Sequence, residues 1–351
     1  MTARFDGAGL ELLCSHILAA AGVDPIDASC VANNLVGANR RGIDSHGIIR
    51  MTSYVNDFLK GQIAAKTVPV IVAETPATAV VDAQNGWGAP ASRFAMALAV
   101  KKAREVGMAG VGVRRSNHFG FAADYGMMAL QHDMIGAAFT NAKRNMVPTG
   151  SVSSYFGTNP ICICVPAGKE RPLVYDGATT VVAQGKIQVA NKKHLPIPSN
   201  WALDEEGRPT TDPAAALAGG RLMPLGGYKG YDLALAVDVL SGVLPGAAFG
   251  ASVHVLSLWG NASNVGHFFS AIDIRAFGDV GEFKDRIDAM IREIHGLPRA
   301  GGVDRIYVPG EIEFDLEDER SRDGIPVVED VEKDLRALAD RFSVPMPVAF
   351  S

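Results

Sequence analysis

Apolar residues recur at helical spacing from Gly9 to Ala21 and from Asp27 to Gly42, with Asp24-Pro25 supplying a turn between the runs and Asp27 placed as an N-cap. A third run continues from about Ile43 to Gly61, so the pattern predicts a helical unit over the first sixty residues. It then changes. Pro69 to Asp82 holds two short strand-like stretches broken by a turn, and an alanine-rich helix is predicted from Pro90 to Val106. Gly110 to Arg114 reads as a strand running out to Ser116-Asn117-His118-Phe119-Gly120, followed by a helix from Phe121 to His132. Strands are expected at Ile135 to Thr140, Pro160 to Pro166 and Leu173 to Tyr175. Between Asn191 and Pro224 proline, glycine and charge replace periodicity, which predicts a long loop. Helical spacing returns after Leu225-Gly226-Gly227-Tyr228-Lys229-Gly230, through Leu240, and again at Glu282 to His295 and Val328 to Phe342.

The simplest organisation is a discontinuous helical domain, residues 1–74 and 226–351, with a mixed α/β domain of residues 75–225 inserted into it. A chain of 351 residues with 48 % hydrophobic and 20 % charged positions has the composition of a soluble globular protein. The net charge of -5, and the lack of any lysine or arginine block longer than a pair, argue against a nucleic-acid partner and against an anionic membrane surface. No apolar run reaches membrane-spanning length and the N-terminus lacks a signal-peptide core, so a cytoplasmic location is expected. Of the cysteines at 14, 30, 162 and 164, the last two alternate within an apolar run. No second Cys/His pair completes a zinc site, so reduced, buried thiols and no metal are expected.

If the third helical run is continuous, His46, Arg50 and Tyr54 recur at i, i+4 and i+8 and line up on one face. A solvated helix face is one reading. The other is a carboxylate-reading stripe, since Arg50 offers a planar fork for a carboxylate and His46 can move a proton near neutral pH. His118, at the join of a predicted strand and helix, is a second candidate acid/base or a helix-capping histidine. Asn141 and Lys143, in Thr140-Asn141-Ala142-Lys143-Arg144, follow a strand end where an amide and a cation can meet a ligand or stay solvated. Tyr175-Asp176-Gly177-Ala178-Thr179-Thr180 ends a strand in small and hydroxylated residues, and Gly226 to Gly230 precede a helix where free N–H groups and a lysine suit a pyrophosphate. A Rossmann fingerprint is absent because Arg115 stands where the third glycine is needed, and no Walker loop or nucleophile elbow is present.

Taken in order, Arg41-Gly42-Ile43-Asp44-Ser45-His46-Gly47 with Arg50 and Tyr54, Ser116-Asn117-His118-Phe119-Gly120, Gly157-Thr158-Asn159-Pro160, Leu225-Gly226-Gly227-Tyr228-Lys229-Gly230 and Val308-Pro309-Gly310-Glu311 form a series. It resembles the non-Rossmann malate/L-lactate dehydrogenase family, which also holds ureidoglycolate and sulfolactate dehydrogenases, 2,3-diketogulonate reductase and a cyclic imino acid reductase. The resemblance implies an α+β protein with a largely antiparallel-sheet cofactor domain, a homodimer, and an NAD(P)-dependent oxidoreductase acting on a small 2-hydroxy or 2-oxo carboxylate. An NADPH-dependent reductase of cyclic imino acids is the alternative, and a non-catalytic nucleotide-binding dimer the reading from another class. Carried over, His118 and His46 are the catalytic candidates, and Ser45, Arg50 and Tyr54 the substrate contacts; Lys143, where members vary, is a substrate-contact candidate by its charge. Asn141, Asn159, Asp176, Ala178, Thr179, Thr180, Gln184, Lys229, Gly230, Gly310 and Glu311 are the implied nucleotide contacts. Members that use NADP often place histidine or arginine where this chain has Gln184, so the neutral amide points to NAD, with Lys186 and Lys192 leaving NADP open.

Overall fold

The computed structural model describes residues 3–192 and 194–350. Strand β1 (Ala3–Phe5) leads into helices α1 (Gly7–Ala20) and α2 (Pro25–Arg40), capped by Asp6 and Asp24 through first-turn N–H groups. Asp27 is therefore not the cap. Pro25 starts α2 three positions earlier, and the buried Asp27 carboxylate accepts the Thr67 N–H instead. After α3 (Met51–Leu59) come β2 (Val70–Glu74), β3 (Thr78–Asp82), α4 (Gly88–Val106), β4 (Met108–Ser116) and a short α5 (Ala123–Gly126) that tightens into a 3-10 run. Strands β5 (Met134–Thr140), β6 (Ile161–Val165) and β7 (Leu173–Gly177) follow, then α6 (Gln184–Lys192), β8 (Ala202–Leu203), α7 (Pro213–Gly219), β9 (Arg221–Leu222) and α8 (Tyr228–Asp238). The last part holds β10 (Val265–Asp273), α9 (Val280–His295), α10 (Glu311–Asp323), β11 (Ile325–Val327), α11 (Glu329–Phe342) and β12 (Ala349–Phe350).

A seven-stranded sheet runs in the order β2-β3-β4-β10-β5-β6-β7, and only the β3–β4 pair is parallel. Helix α4 lies on it through Ala91, Ala95, Ala99 and Ala103, whose small side chains let the helix approach Val111, Val113 and Phe269 closely. A second core joins α1, α2, α3 and α11 around Leu10, Ile17, Leu35, Met51 and Leu335, and Trp87 at the start of α4 is buried in it. Beside it, β11-β1-β12 form a small sheet.

The expected domain boundaries do not match this sheet. Strand β2 comes from the segment assigned to the first helical part, and β10, from the segment assigned to the second, lies in the middle of the sheet. Strand β10 carries no apolar/polar alternation because both of its faces pack: His267, Phe269 and Ala271 are buried on one, while Phe268 and Ile272 sit partly buried on the other. The stretch from Asn191 to Pro224 is likewise not an unbroken loop, since it holds α7 and the β8–β9 pair.

Candidate active site

The chain around His46 does not form the expected continuous helix. Two 3-10 turns, Asp44–His46 and Ile48–Arg50, are separated by an extended Gly47 before α3 begins. The cause is Asn39, near the end of α2: its Oδ1 accepts the Ile48 N–H at 2.8 Å and its Nδ2 donates to Asp44 Oδ1 at 2.6 Å. A Cβ on Gly47 would lie 2.1 Å from that Oδ1, so glycine leaves the room the amide occupies. Arg320 of α10 closes the turn from outside, donating to Asp44 Oδ1 at 2.7 Å.

His118 follows β4 in a loop of equally restricted shape. Gly120 has φ +80, and a Cβ there would lie 1.6 Å from Asn34 Oδ1. The Tyr125 hydroxyl donates to the Phe119 carbonyl, and Asn117 Nδ2 donates to the Gly86 carbonyl at 2.8 Å.

These two loops meet. The rings of His46 and His118 stack at 5.6 Å between centroids and 18° between planes. Tyr54 Oη lies 2.6 Å from His118 Nδ1, and Ser45 Oγ lies 3.0 Å from His46 Nδ1. Arg50 spends Nε on the Ser45 carbonyl at 2.8 Å, while its terminal nitrogens make no hydrogen bond or ion pair among the described residues. The helical stripe was the wrong geometry, yet all of its members reach one place.

Burial and then the Arg50 charge push His46 down to about 4. His118 is held well below its ordinary value first by the surrounding protein, then by Arg50 and His46. His118 is nevertheless an exposed residue, and contact with solvent opposes that depression. Burial raises the Tyr54 hydroxyl, so it keeps its proton.

The implied nucleotide contacts divide into two sets. Ala178, Thr179 and Thr180 follow β7 and lie against the start of α8: the Leu225 N–H donates to the Thr179 carbonyl at 2.9 Å, and a Cβ on Gly230 would come within 2.7 Å of the same oxygen. Gly227 caps α8 without a side chain, and the N–H groups of Tyr228, Lys229 and Gly230 find no acceptor among the described residues. With an exposed Lys229 beside them, these residues fit a pyrophosphate. Gly310 packs on Val174 near the other end of β7, four residues of chain before Ala178 and so about 13 Å from it. Glu311 is buried there, accepting from the Val308 N–H and Arg305 Nη2 at 2.9 Å and lying 3.1 Å from His295 Nε2. A cavity of about 670 Å³ lined by His295, Arg299 and Arg305 opens beside it.

Asn141 and Asn159, both implied nucleotide contacts, also make hydrogen bonds within the protein. Asn141 Nδ2 donates to the Ala248 carbonyl and its Oδ1 accepts the Gly266 N–H, while Asn159 Nδ2 donates to the Ala234 carbonyl and its Oδ1 accepts the Ala142 N–H. Both amides are buried and spent on holding loops together. The Thr179 and Thr180 hydroxyls also donate to backbone carbonyls, of Thr158 and Val182. Asp176 accepts the Ala123 N–H at 2.8 Å, and burial, only partly offset by that bond and by Arg41, raises it to about 6. Gln184 makes only a long 3.5 Å contact with Asn145 Nδ2, while the next residue of α6, Gly185, faces Ser45 beside the His46 turn.

Two histidines were not singled out from the sequence. His267 is fully buried, bonded to Ser116 Oγ at 2.8 Å and Thr140 Oγ1 at 2.7 Å, and stacked on Phe119 at 4.8 Å, so it supports the His118 loop from below. His254, at φ +61, is depressed by burial and then by Lys143, with Asp57 opposing, which puts the exposed Lys143 on the same side of the cleft. Its left-handed backbone left no trace that periodicity could detect. Among the described residues no three His, Cys, Asp or Glu side chains gather as a metal site would require.

With the two histidines, the free guanidinium and the α8 start in place, comparison with known proteins is decisive. The family model described as malate/L-lactate dehydrogenase matches residues 5–336. The chain belongs to the malate/L-lactate dehydrogenase family. Within that family, a malate dehydrogenase of Pyrococcus horikoshii is 38 % identical over 336 residues, covering 94 % of this chain and 92 % of the relative. The NAD(+) ureidoglycolate dehydrogenase of Escherichia coli O157:H7 is 33 % identical, covering 92 % of each. The crystal structure of malate dehydrogenase from Entamoeba histolytica superposes with a TM-score of 0.95 at 31 % identity, covering 99 % of this chain and all of that one.

Proposed function

We propose that this malate/L-lactate dehydrogenase family member is an NAD(P)-dependent oxidoreductase that moves a hydride between the nicotinamide and C2 of a small 2-hydroxy or 2-oxo carboxylate. The observation that carries the reading is the pair of stacked imidazoles beside Arg50, whose terminal nitrogens have no partner among the described residues. Arg50 holds the substrate carboxylate through its unspent fork. An imidazole of the pair takes the hydroxyl proton in oxidation and returns it in reduction. Both rings are neutral at pH 7, because burial and Arg50 depress them, so the pair holds a neutral imidazole to take the proton. Lys143 and Ser45 line the rim as further substrate contacts.

The cofactor supplies the hydride acceptor and donor. Lys229, the first N–H groups of α8 and the backbone of Ala178 to Thr180 hold its phosphates, and Gly310 and Glu311 lie toward its far end. Gln184 offers no charge to a 2′-phosphate, which favours NAD. The family resemblance and an apolar outward side of α8, with Leu233, Leu235 and Val239 exposed, support a homodimer. Four free cysteines and no helix long and apolar enough to cross a membrane among the described residues are compatible with work in the cytoplasm.

A panel of 2-oxo acids and cyclic imino acids, followed at the nicotinamide absorbance with NADH and with NADPH, tests the reading. Turnover of at least one 2-oxo acid with NADH is expected. Reduction of the imines alone would replace the substrate class, and nucleotide binding without any turnover would leave a non-catalytic dimer.

A further inference from the structure

The two stacked histidines differ in what surrounds their Nδ1 atoms. His118 Nδ1 accepts the Gly120 N–H at 3.2 Å and faces Tyr54 Oη at 2.6 Å. A backbone N–H can only donate, so this nitrogen carries a lone pair and the neutral ring keeps its proton on Nε2. Gly120 cannot turn its N–H away, because Asn34 fills the space beside its Cα and Tyr125 holds the Phe119 carbonyl. Tyr54 has no other hydrogen-bond partner among the described residues and keeps its proton, so it too donates.

A proton placed on His118 Nδ1 would face the Gly120 N–H. The other groups around the ring are Arg50 from the 3-10 turn, His46 above it, His267 from β10 and His254 from the loop before β10, none of them a carboxylate. Asp57 faces His254 instead. His46 Nδ1 meets only the Ser45 hydroxyl, which accepts as readily as it donates, so this ring can carry protons on both nitrogens.

On the proposed dehydrogenase reading, we infer that His46 is the group that exchanges the proton, while Tyr54 and the Gly120 N–H lock His118 as the Nε2–H tautomer, a permanent hydrogen-bond donor to the substrate oxygen. In oxidation the hydroxyl proton passes to His46 Nε2, the C2 hydrogen leaves with its electron pair to the cofactor, and the new carbonyl oxygen accepts from His118 Nε2–H. Reduction reverses each transfer. Tyr54 is then a positioning residue and not a substrate contact.

The test uses 15N-histidine-labelled full-length protein without ligands, its His118 signals assigned with His118→Gln. The wild type is expected to show a pyridine-like Nδ1 and a pyrrole-like Nε2 at position 118 from pH 5.5 to 9. Tyr54→Phe is expected to disturb that pattern and to lower kcat about 10-fold with KM changed less than twofold. His118→Gln should keep the acid limb of the kcat/KM profile for oxidation at reduced height, and His46→Gln should abolish it with a loss of about 10²- to 10⁴-fold. A protonated Nδ1 on His118 at neutral pH, or loss of the acid limb in His118→Gln alone, would overturn the inference. Absence of turnover on every acid would sink the functional reading separately, and the spectra of the resting protein would still decide the tautomer.

Discussion

Arg50 bears on the site twice, through the terminal nitrogens proposed to hold a carboxylate and through a charge that adds to burial in lowering His46. Replacing it with methionine keeps the bulk and removes both effects. Arg50→Met is expected to raise KM for 2-oxo acids by about two powers of ten, in line with the loss of ~2–3 kcal/mol for a charge-assisted contact. It also has a pH signature. Arg50 lowers His46, so its loss lets the imidazole rise from about 4 toward, but not to, its ordinary 6.5, burial remaining. The acid limb of kcat/KM for oxidation should therefore move to higher pH, and steady-state rates between pH 4.5 and 7 would register it. An unshifted limb would detach Arg50 from the proton chemistry. At this scale the sequence was informative: His46, Arg50, Tyr54 and His118 were chosen from side-chain chemistry, and the structure brings them together. For Asn141 and Asn159 the residue type does not separate the alternatives, because an asparagine that ties two loops and one that meets a ligand carry the same side chain.

Among the elements, the 3-10 pair before α3 shows how a short segment is shaped from outside. Nothing in Ile43 to Tyr54 breaks helical periodicity strongly, and the bend comes from Asn39 and Arg320, residues on α2 and α10. Local patterning cannot contain that information. Asn39→Ala would leave the buried Ile48 N–H without its acceptor, at a cost of about 1–3 kcal/mol, and would release the turn that carries His46. Urea titration should show the lower midpoint, and kcat should fall more than the stability loss alone explains, since the enzyme stays folded at assay temperature. A variant of unchanged stability would mean that the turn holds itself. Strand β10 was hidden for another reason, its two packed faces leaving no apolar/polar alternation to read.

For the whole molecule, the outward side of α8 is the feature that a single chain leaves unexplained. Leu233, Leu235, Val239, Val243 and Leu244 are all exposed along one helix and its π-turn extension. A helix apolar on its outer side belongs inside something larger. Leu233→Lys with Leu235→Glu is expected to convert a dimer to a monomer in sedimentation velocity, lowering the thermal midpoint as well. A wild-type chain that sediments as a monomer at micromolar concentration would refute the homodimer.

The place of β10 has a consequence for how the protein is made. Its residues, 265–273 of 351, join β4 on one side and β5 on the other. While the nascent chain leaves the ribosome, two ribbons with raw inner margins must wait for a late arrival, each one a template for the wrong neighbour. Synthesis halted anywhere short of that segment leaves β4 and β5 each with an unfilled inner margin, and the sheet is whole only when this last plank is laid.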